Sequence, residues 1–211
     1  MGRYLGLAKE TAYGTAVAPA TYMRILNETI KFNPNFVYHR TIEGGRKLQT
    51  TQAVKQQSQG SIRFMPVYDK GLGEILNMLF GKVTTTVLEA SVRWQHVFEP
   101  LATITSNVMP SYTIEKGLDD ITGERYSGCS VGRLRINANP ADFVVVDADI
   151  FGKKPSTVTL ATPSFSSQDY INAGQVVTQT LGGVTTKFEQ FSVEIIGGAV
   201  PAFKPSSKET Y

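Results

Sequence analysis

At 211 residues and 41% hydrophobic content, the chain can bury a sizeable core as one β-rich domain, or one domain with arms, and requires no second domain. Its 21 basic and 18 acidic residues leave a formal charge of +3 with no basic run longer than pairs such as Lys153-Lys154, a weak footprint for gripping nucleic acid. One cysteine, Cys129, excludes an internal disulfide and a thiolate metal cluster within one chain, and the longest apolar runs, such as 143–146, are too short to cross a bilayer.

Residues 1–21 carry no apolar signal-peptide core, and the expectation is a soluble protein made in a reducing cytoplasm. Gly2, Gly6, Gly14, Pro19 and several alanines favour an extended N-terminal arm that another surface must order. Residues 22–196 read as the main β-domain. From Tyr22 to Tyr38, Ile30, Phe32, Phe36 and Tyr38 share a strand parity, broken at Asn33-Pro34, which points to an edge or a bulge. The stretch 39–60 turns polar, with Gln49, Gln52, Gln56, Gln57 and Gln59 among threonines and serines. It predicts a long binding loop joining the two halves of a long hairpin.

A strand with Ile62 and Phe64 on one face then runs through Pro66 to Tyr68, and Pro66 again favours an edge. Over 69–81 a single helix is predicted, capped by Asp69 and stopped at Gly81. Leu72, Ile75, Leu76, Leu79 and Phe80 form its apolar stripe at i, i+3, i+4, i+7 and i+8, which must dock on a sheet. Val92, Trp94, His96 and Phe98 share one strand face, and further strands cover Tyr112 to Lys116, Tyr126 to Asn137 and Phe143 to Phe151. The apolar parity changes across Gly132, the signature of a β-bulge. Short strands follow at Thr157 to Leu160 and Phe188 to Ile196, and a Gly, Pro and Ser-rich tail occupies 197–211. The fold class is mainly β: an antiparallel sandwich or barrel flanked by one α-helix.

Catalytic and metal chemistry finds little support. His39 and His96 lack catalytic or ligating neighbours at short range, and His96 reads as a hydrogen-bonded structural residue. Asp147 and Asp149 lie two apart on a strand with no third ligand nearby, which fits a solvated face better than a metal site. Asp119-Asp120 before Thr122-Gly123 reads as a turn rather than a calcium loop. Gly44-Gly45-Arg46-Lys47 lacks the strand-to-helix context of a phosphate loop, and Cys129 reads as a buried, inert thiol. No catalytic residue, metal or cofactor is expected, so the chain is read as a non-enzyme.

Several segments, taken in order, resemble the tail tube proteins (major tail proteins) of long-tailed bacteriophages. They are the opening Gly6-Leu-Ala-Lys-Glu-Thr-Ala-Tyr-Gly-Thr-Ala-Val-Ala-Pro19 and Tyr126-Ser-Gly-Cys-Ser-Val131 followed by the Leu134 and Ile136 strand. The resemblance covers most of residues 1–200, although many relatives continue with an extra domain. It implies a virion structural subunit, assembled in the host cytoplasm, whose hexameric rings join their inner sheets into one barrel and stack into a conduit for DNA. Closing the sheets into a ring would also remove exposed strand edges. The implied partners are the chain itself, tape measure and terminator proteins, and DNA passing without specific binding; no membrane is implied. The resemblance places Arg46, Lys47, Gln49, Gln52, Lys55, Gln56 and Gln57 on an inter-ring loop. It places the polar-face positions Thr29, Lys31, Ser61, Arg63, Thr113 and Glu115 in the lumen. A secretion-system tube protein, or a monomeric β-sandwich module binding a ligand through its polar loop, are the competing readings.

Overall fold

The computed structural model describes residues 4–39, 50–90, 92–101, 109–117, 122–139, 142–160, 162–175, 179–181, 183–186 and 190–199. In chain order the strands are β1 (Leu5–Lys9), β2 (Thr21–Met23), β3 (Asn27–Glu28), β4 (Lys31–His39) and β5 (Thr50–Phe64). Helix α1 (Leu72–Phe80) follows, then β6 (Gly81–Glu89), β7 (Arg93–Pro100), β8 (Tyr112–Gly117), β9 (Thr122–Ala138) and β10 (Val145–Gly152). The last are β11 (Ser156–Thr159), β12 (Gln179–Leu181), β13 (Val184–Thr186) and β14 (Phe191–Ile196). Among the described residues every strand pairing is antiparallel and α1 is the one α-helix, so the mainly antiparallel β fold with a flanking helix is as the sequence implies.

A ten-stranded sheet runs β2-β1-β8-β9-β10-β5-β3, with β4 also on β5 and β11 and β14 on β9. The 17-residue β9 belongs to both halves of this sheet. Its first part lies between β8 and β11, and its second between β10 and β14. The bulge read from the sequence lies just past the joint, within the β9–β10 pairing. Asp149 pairs with Arg133 and Ile150 with Val131, so Gly132 is the extra residue.

One face of the sheet forms the core, with Leu5, Leu7, Ile62, Phe64, Ile114, Val131, Leu134, Val146 and Ala148 buried together. Helix α1 closes it. Ile75, Met78 and Leu79 are buried, and Leu72, Leu76 and Phe80 pack at the margin. Each fully buried apolar side chain contributes about 1.5–3 kcal/mol, enough to hold a nine-residue helix that would not persist alone. Gly81 stops it in the left-handed region (φ 89°), where a side chain would be strained.

Four expectations are corrected. The helix starts at Leu72 rather than 69, because the Gly71 N–H donates to the Glu74 carboxylate (3.0 Å) while Asp69 accepts from the Ser166 hydroxyl (2.6 Å). Residues 5–9 are a sheet strand rather than part of an arm. Leu5 and Leu7 enter the core, and the chain folds back so that the Ala20 N–H reaches the Leu7 carbonyl (3.0 Å). The polar stretch 39–60 is strand from Thr50 onward; its alternating Gln, Thr and Ser show no apolar parity, and 40–49 lie outside the described residues. Finally, β5 ends at Phe64, and Pro66 lies beyond it, its carbonyl accepting from Ile171. Pro34 does sit on an edge strand, beside a register shift at Asn35/Phe36.

Candidate assembly surfaces

Opposite the core face, the strands β14, β9, β10 and β5 present an ordered grid of charges. The parity that buries Leu134 and packs Ile136 against the core on β9 turns Arg133 and Arg135 outward, and the same alternation on β10 turns out Asp147 and Asp149. Register aligns one row as Arg63, Asp147, Arg135 and Glu194, with charge signs alternating across four strands. The next row runs Ser61, Asp149 and Arg133, with Thr29 bonded to Ser61 at its end.

Contacts knit the rows together. Arg133 donates to Asp149 (2.7 Å) and to Glu194 (3.2 Å), Arg135 donates to Glu194 (3.3 Å), and Arg63 lies 3.7 Å from Asp147. The hydrogen bond and field of Asp149 raise the Arg133 pKa further. The three arginines and three carboxylates cancel, and each guanidinium already faces a carboxylate. Such a surface is wet and charged but has little attraction left for a phosphate chain.

Of the lumen positions expected from the sequence, Thr29, Ser61 and Arg63 lie in this grid, and Lys31 is exposed beside it, paired with Gln59. Thr113 and Glu115 do not. Both are fully buried, because the segment after β1 crosses back over β8 and covers its second face. There Glu10 accepts hydrogen bonds from Ser111 Oγ (2.6 Å), Thr113 Oγ1 (2.9 Å) and the N–H groups of Gly14 and Gly128 (2.8 Å each). Glu115 accepts from the Tyr4 hydroxyl (2.9 Å) and from Arg125 Nε and Nη2 (2.9 and 2.6 Å). These groups fasten the N-terminal segment to the sheet. Arg133, Arg135 and Glu194 were not anticipated; the clue was the parity of the two arginines opposite Leu134 and Ile136 beyond the Gly132 bulge, and of Glu194 opposite Val193 and Ile195.

Two hairpins project from this body. In β4–β5, Gln52, Lys55, Gln56 and Gln57 lie on β5, whereas Arg46, Lys47 and Gln49 fall outside the described residues. Phe36, which pairs with Ala53, and Val54, the extra residue at the register shift, both stand exposed (48% and 46%). The β6–β7 hairpin, of which only β7 was anticipated, exposes Val87 and Trp94 as a cross-strand pair. Between its base and α1 lies an open groove of about 330 Å³, lined by Val83, Thr85, His96, Phe98, Asn77 and Tyr112, with Asp69, Lys70 and Glu74 also along it.

Of the residues weighed for chemistry, His96 and Cys129 are placed as follows. His96 shares a hydrogen bond with Thr85 Oγ1 (2.9 Å) on the exposed hairpin. Cys129 is buried, and burial, reinforced by the field of Glu10, pushes its thiol far above the usual range, away from the reactive thiolate. Among the described residues no three His, Cys, Asp or Glu side chains gather as a metal site, and no helix is long and apolar enough to span a membrane. The 119–120 carboxylates and 44–47 lie outside the described residues.

A comparison with protein families matches the phage tail tube protein family over residues 2–199. The chain belongs to that family. It is therefore a structural subunit of a tail tube, and its family is one of structural tail proteins. Comparison with curated proteins returns no match. Among solved structures, the tail tube chain is similar to a chain of the anti-feeding prophage cap structure (tube-terminating cap), at 10% identity over 74% of this chain and 88% of that one, TM-score 0.41. It is also similar to a chain of the sheath–tube complex of the extracellular contractile injection system PVC, at 9% identity over 74% and 88%, TM-score 0.41. A chain of the anti-feeding prophage baseplate matches at 9% identity over 74% and 91%, TM-score 0.42.

Proposed function

We propose that copies of this tail tube subunit close side by side into rings, six to a ring as the family resemblance implies, and that the rings stack into a tube conducting DNA. The balanced charge grid lines the bore, and it is the observation that carries this reading. A lumen must stay hydrated without holding its passenger, and every unpaired cation there would add a salt-sensitive phosphate contact that slows transit. Arginines neutralised in place by Asp147, Asp149 and Glu194 meet that requirement. The edges of this half-sheet, β14 at one end and β3 and β4 at the other, are where neighbouring sheets join, so that ring closure protects the strand edges. Assembly takes place in the host cytoplasm, with tape measure and terminator proteins as the further partners.

Electron microscopy of the concentrated protein tests the first step: rings or tubes with a central channel are expected, and a persistent monomer under all assembly conditions counts against it. The lumen assignment is tested by Asp149→Lys with Glu194→Lys, which turns the balanced face strongly positive. Tubes of that variant should retain DNA at low salt and release it steeply as salt rises. Equal retention by a variant carrying two reversals at distant surface positions would remove the grid from the bore.

A further inference from the structure

Among the described residues the β6–β7 hairpin is a two-stranded sheet of its own, joined to the body at its base beside α1. A lone two-stranded ribbon is marginal in water, and this one has little polar character to recommend it to solvent. Its charges pair internally, Lys82 with Glu99 and Arg93 with Glu89. Val87, Leu88, Val92 and Trp94 are meanwhile each more than half exposed. An exposed apolar ribbon with no net charge calls for an apolar cover.

Register pairs Val83 with Phe98, Thr85 with His96 and Val87 with Trp94, so the three pairs share one face of the ribbon. The first two line the open groove of about 330 Å³ against α1, and the third carries the same face past it. On the groove floor Asn77 is 5% exposed, its Nδ2 donates to the Tyr112 hydroxyl (2.7 Å), and its Oδ1 has no partner. A buried carbonyl oxygen without a donor is costly, and Asp69 and Glu74 against Lys70 make the rim slightly acidic. The fitting occupant is an apolar body with an N–H on a positive edge. Trp94, the only tryptophan of the chain, has that chemistry: a large ring, a positive rim and a donor-only indole nitrogen. It does not line the groove of its own copy. We propose that the groove receives Trp94 of a second copy, the neighbour in the same ring. The indole N–H donates to Asn77 Oδ1, and Val87 beside it covers Val83 and Phe98. Each copy then fills the groove of the next and offers its own to the one before, the head-to-tail arrangement that closes a ring. The inference rests on the ring reading and assigns one of the contacts that hold the ring.

Three variants of the full chain test it, with thermal melts to establish that each folds. Trp94→Ser removes the knob from an exposed position. Gly73→Leu fills the groove: Gly73 is exposed on α1, a Cβ there meets nothing nearer than Phe98 at 3.9 Å, and leucine favours the helix. Trp94→Phe keeps an aromatic ring but has no N–H. As the wild type assembles, the emission of its single tryptophan should shift to the blue, because the indole leaves water. Light scattering should show that Trp94→Ser and Gly73→Leu each raise the concentration needed for rings at least about 30-fold, and Trp94→Phe about fivefold. Rings that form with the emission unshifted, and as readily in the first two variants, overturn the assignment, turn the ribbon toward a different tail protein and leave the ring reading intact. Variants that form rings but fail to stack overturn it too, by moving the contact between rings. A Trp94→Phe variant that assembles like wild type overturns the pairing with Asn77. A wild-type chain that stays monomeric or stops at a dimer removes the ring reading and this inference together.

Discussion

The second face of β8 and the outer face of β10 use the same side-chain chemistry for opposite ends. Around β8, Glu10, Thr113 and Glu115 are buried and their hydrogen-bonding partners converge from segments some hundred residues apart. On the outer face, Asp147, Asp149 and Glu194 meet their arginines in water. Breaking one partner of a buried set strands the others without water, whereas an exposed ion pair gains little over solvation. Charge on this sheet is structural where a second layer covers it and, by our reading, functional where nothing does.

The largest expected effect comes from removing the buried anchor. Glu10→Ala leaves two hydroxyls and two N–H groups without their acceptor and should cost about 3–5 kcal/mol of unfolding free energy in urea, insensitive to salt. A loss below about 1 kcal/mol would mean that water replaces the carboxylate and that the contrast between the faces is false.

High pH probes the buried side next. Burial first, then the hydrogen-bonded carboxylates of Glu115 and Glu124, raise the hydroxyl pKa values of Tyr4 and Tyr126 above the ordinary 10.0. Their folded-state values exceed the unfolded ones, so the stabilisation is complete below pH 10 and is lost as pH rises beyond it, where only the unfolded chain gives up these protons. The urea midpoint should fall above pH 10, and less steeply in Tyr126→Phe. Smaller still, Tyr4→Phe removes one hydrogen bond to Glu115 and should cost about 1 kcal/mol at neutral pH, measured by the same unfolding curves. Least of all, Asp147→Asn on the exposed grid should change stability by less than about 1 kcal/mol, and high salt should erase even that difference.

The legible parts of this fold were those where apolar residues repeat. The period of Leu72, Ile75 and Leu79 marked the helix, and the parity change across Gly132 marked the bulge. Where both faces of a strand are alike, the signal vanishes. Residues 50–60 are polar on both sides and read as loop, whereas β1 is buried on both sides and its small residues read as an arm. The site was half legible for a related reason. Alternation correctly separated Arg63 and Ser61 from Ile62 and Phe64, but Thr113 and Glu115 alternate just as well. Only the return of the chain from β1, a contact between residues about a hundred apart in sequence, decides that they are covered.

Because β9 runs unbroken through both halves of the sheet, neither half can be peeled away without tearing hydrogen bonds from a strand the other half also uses. Load applied to either half is carried in shear along one continuous backbone rather than across a soft joint. The subunit should yield as a single mechanical unit, stiff up to one rupture force, which suits a subunit of a tube wall.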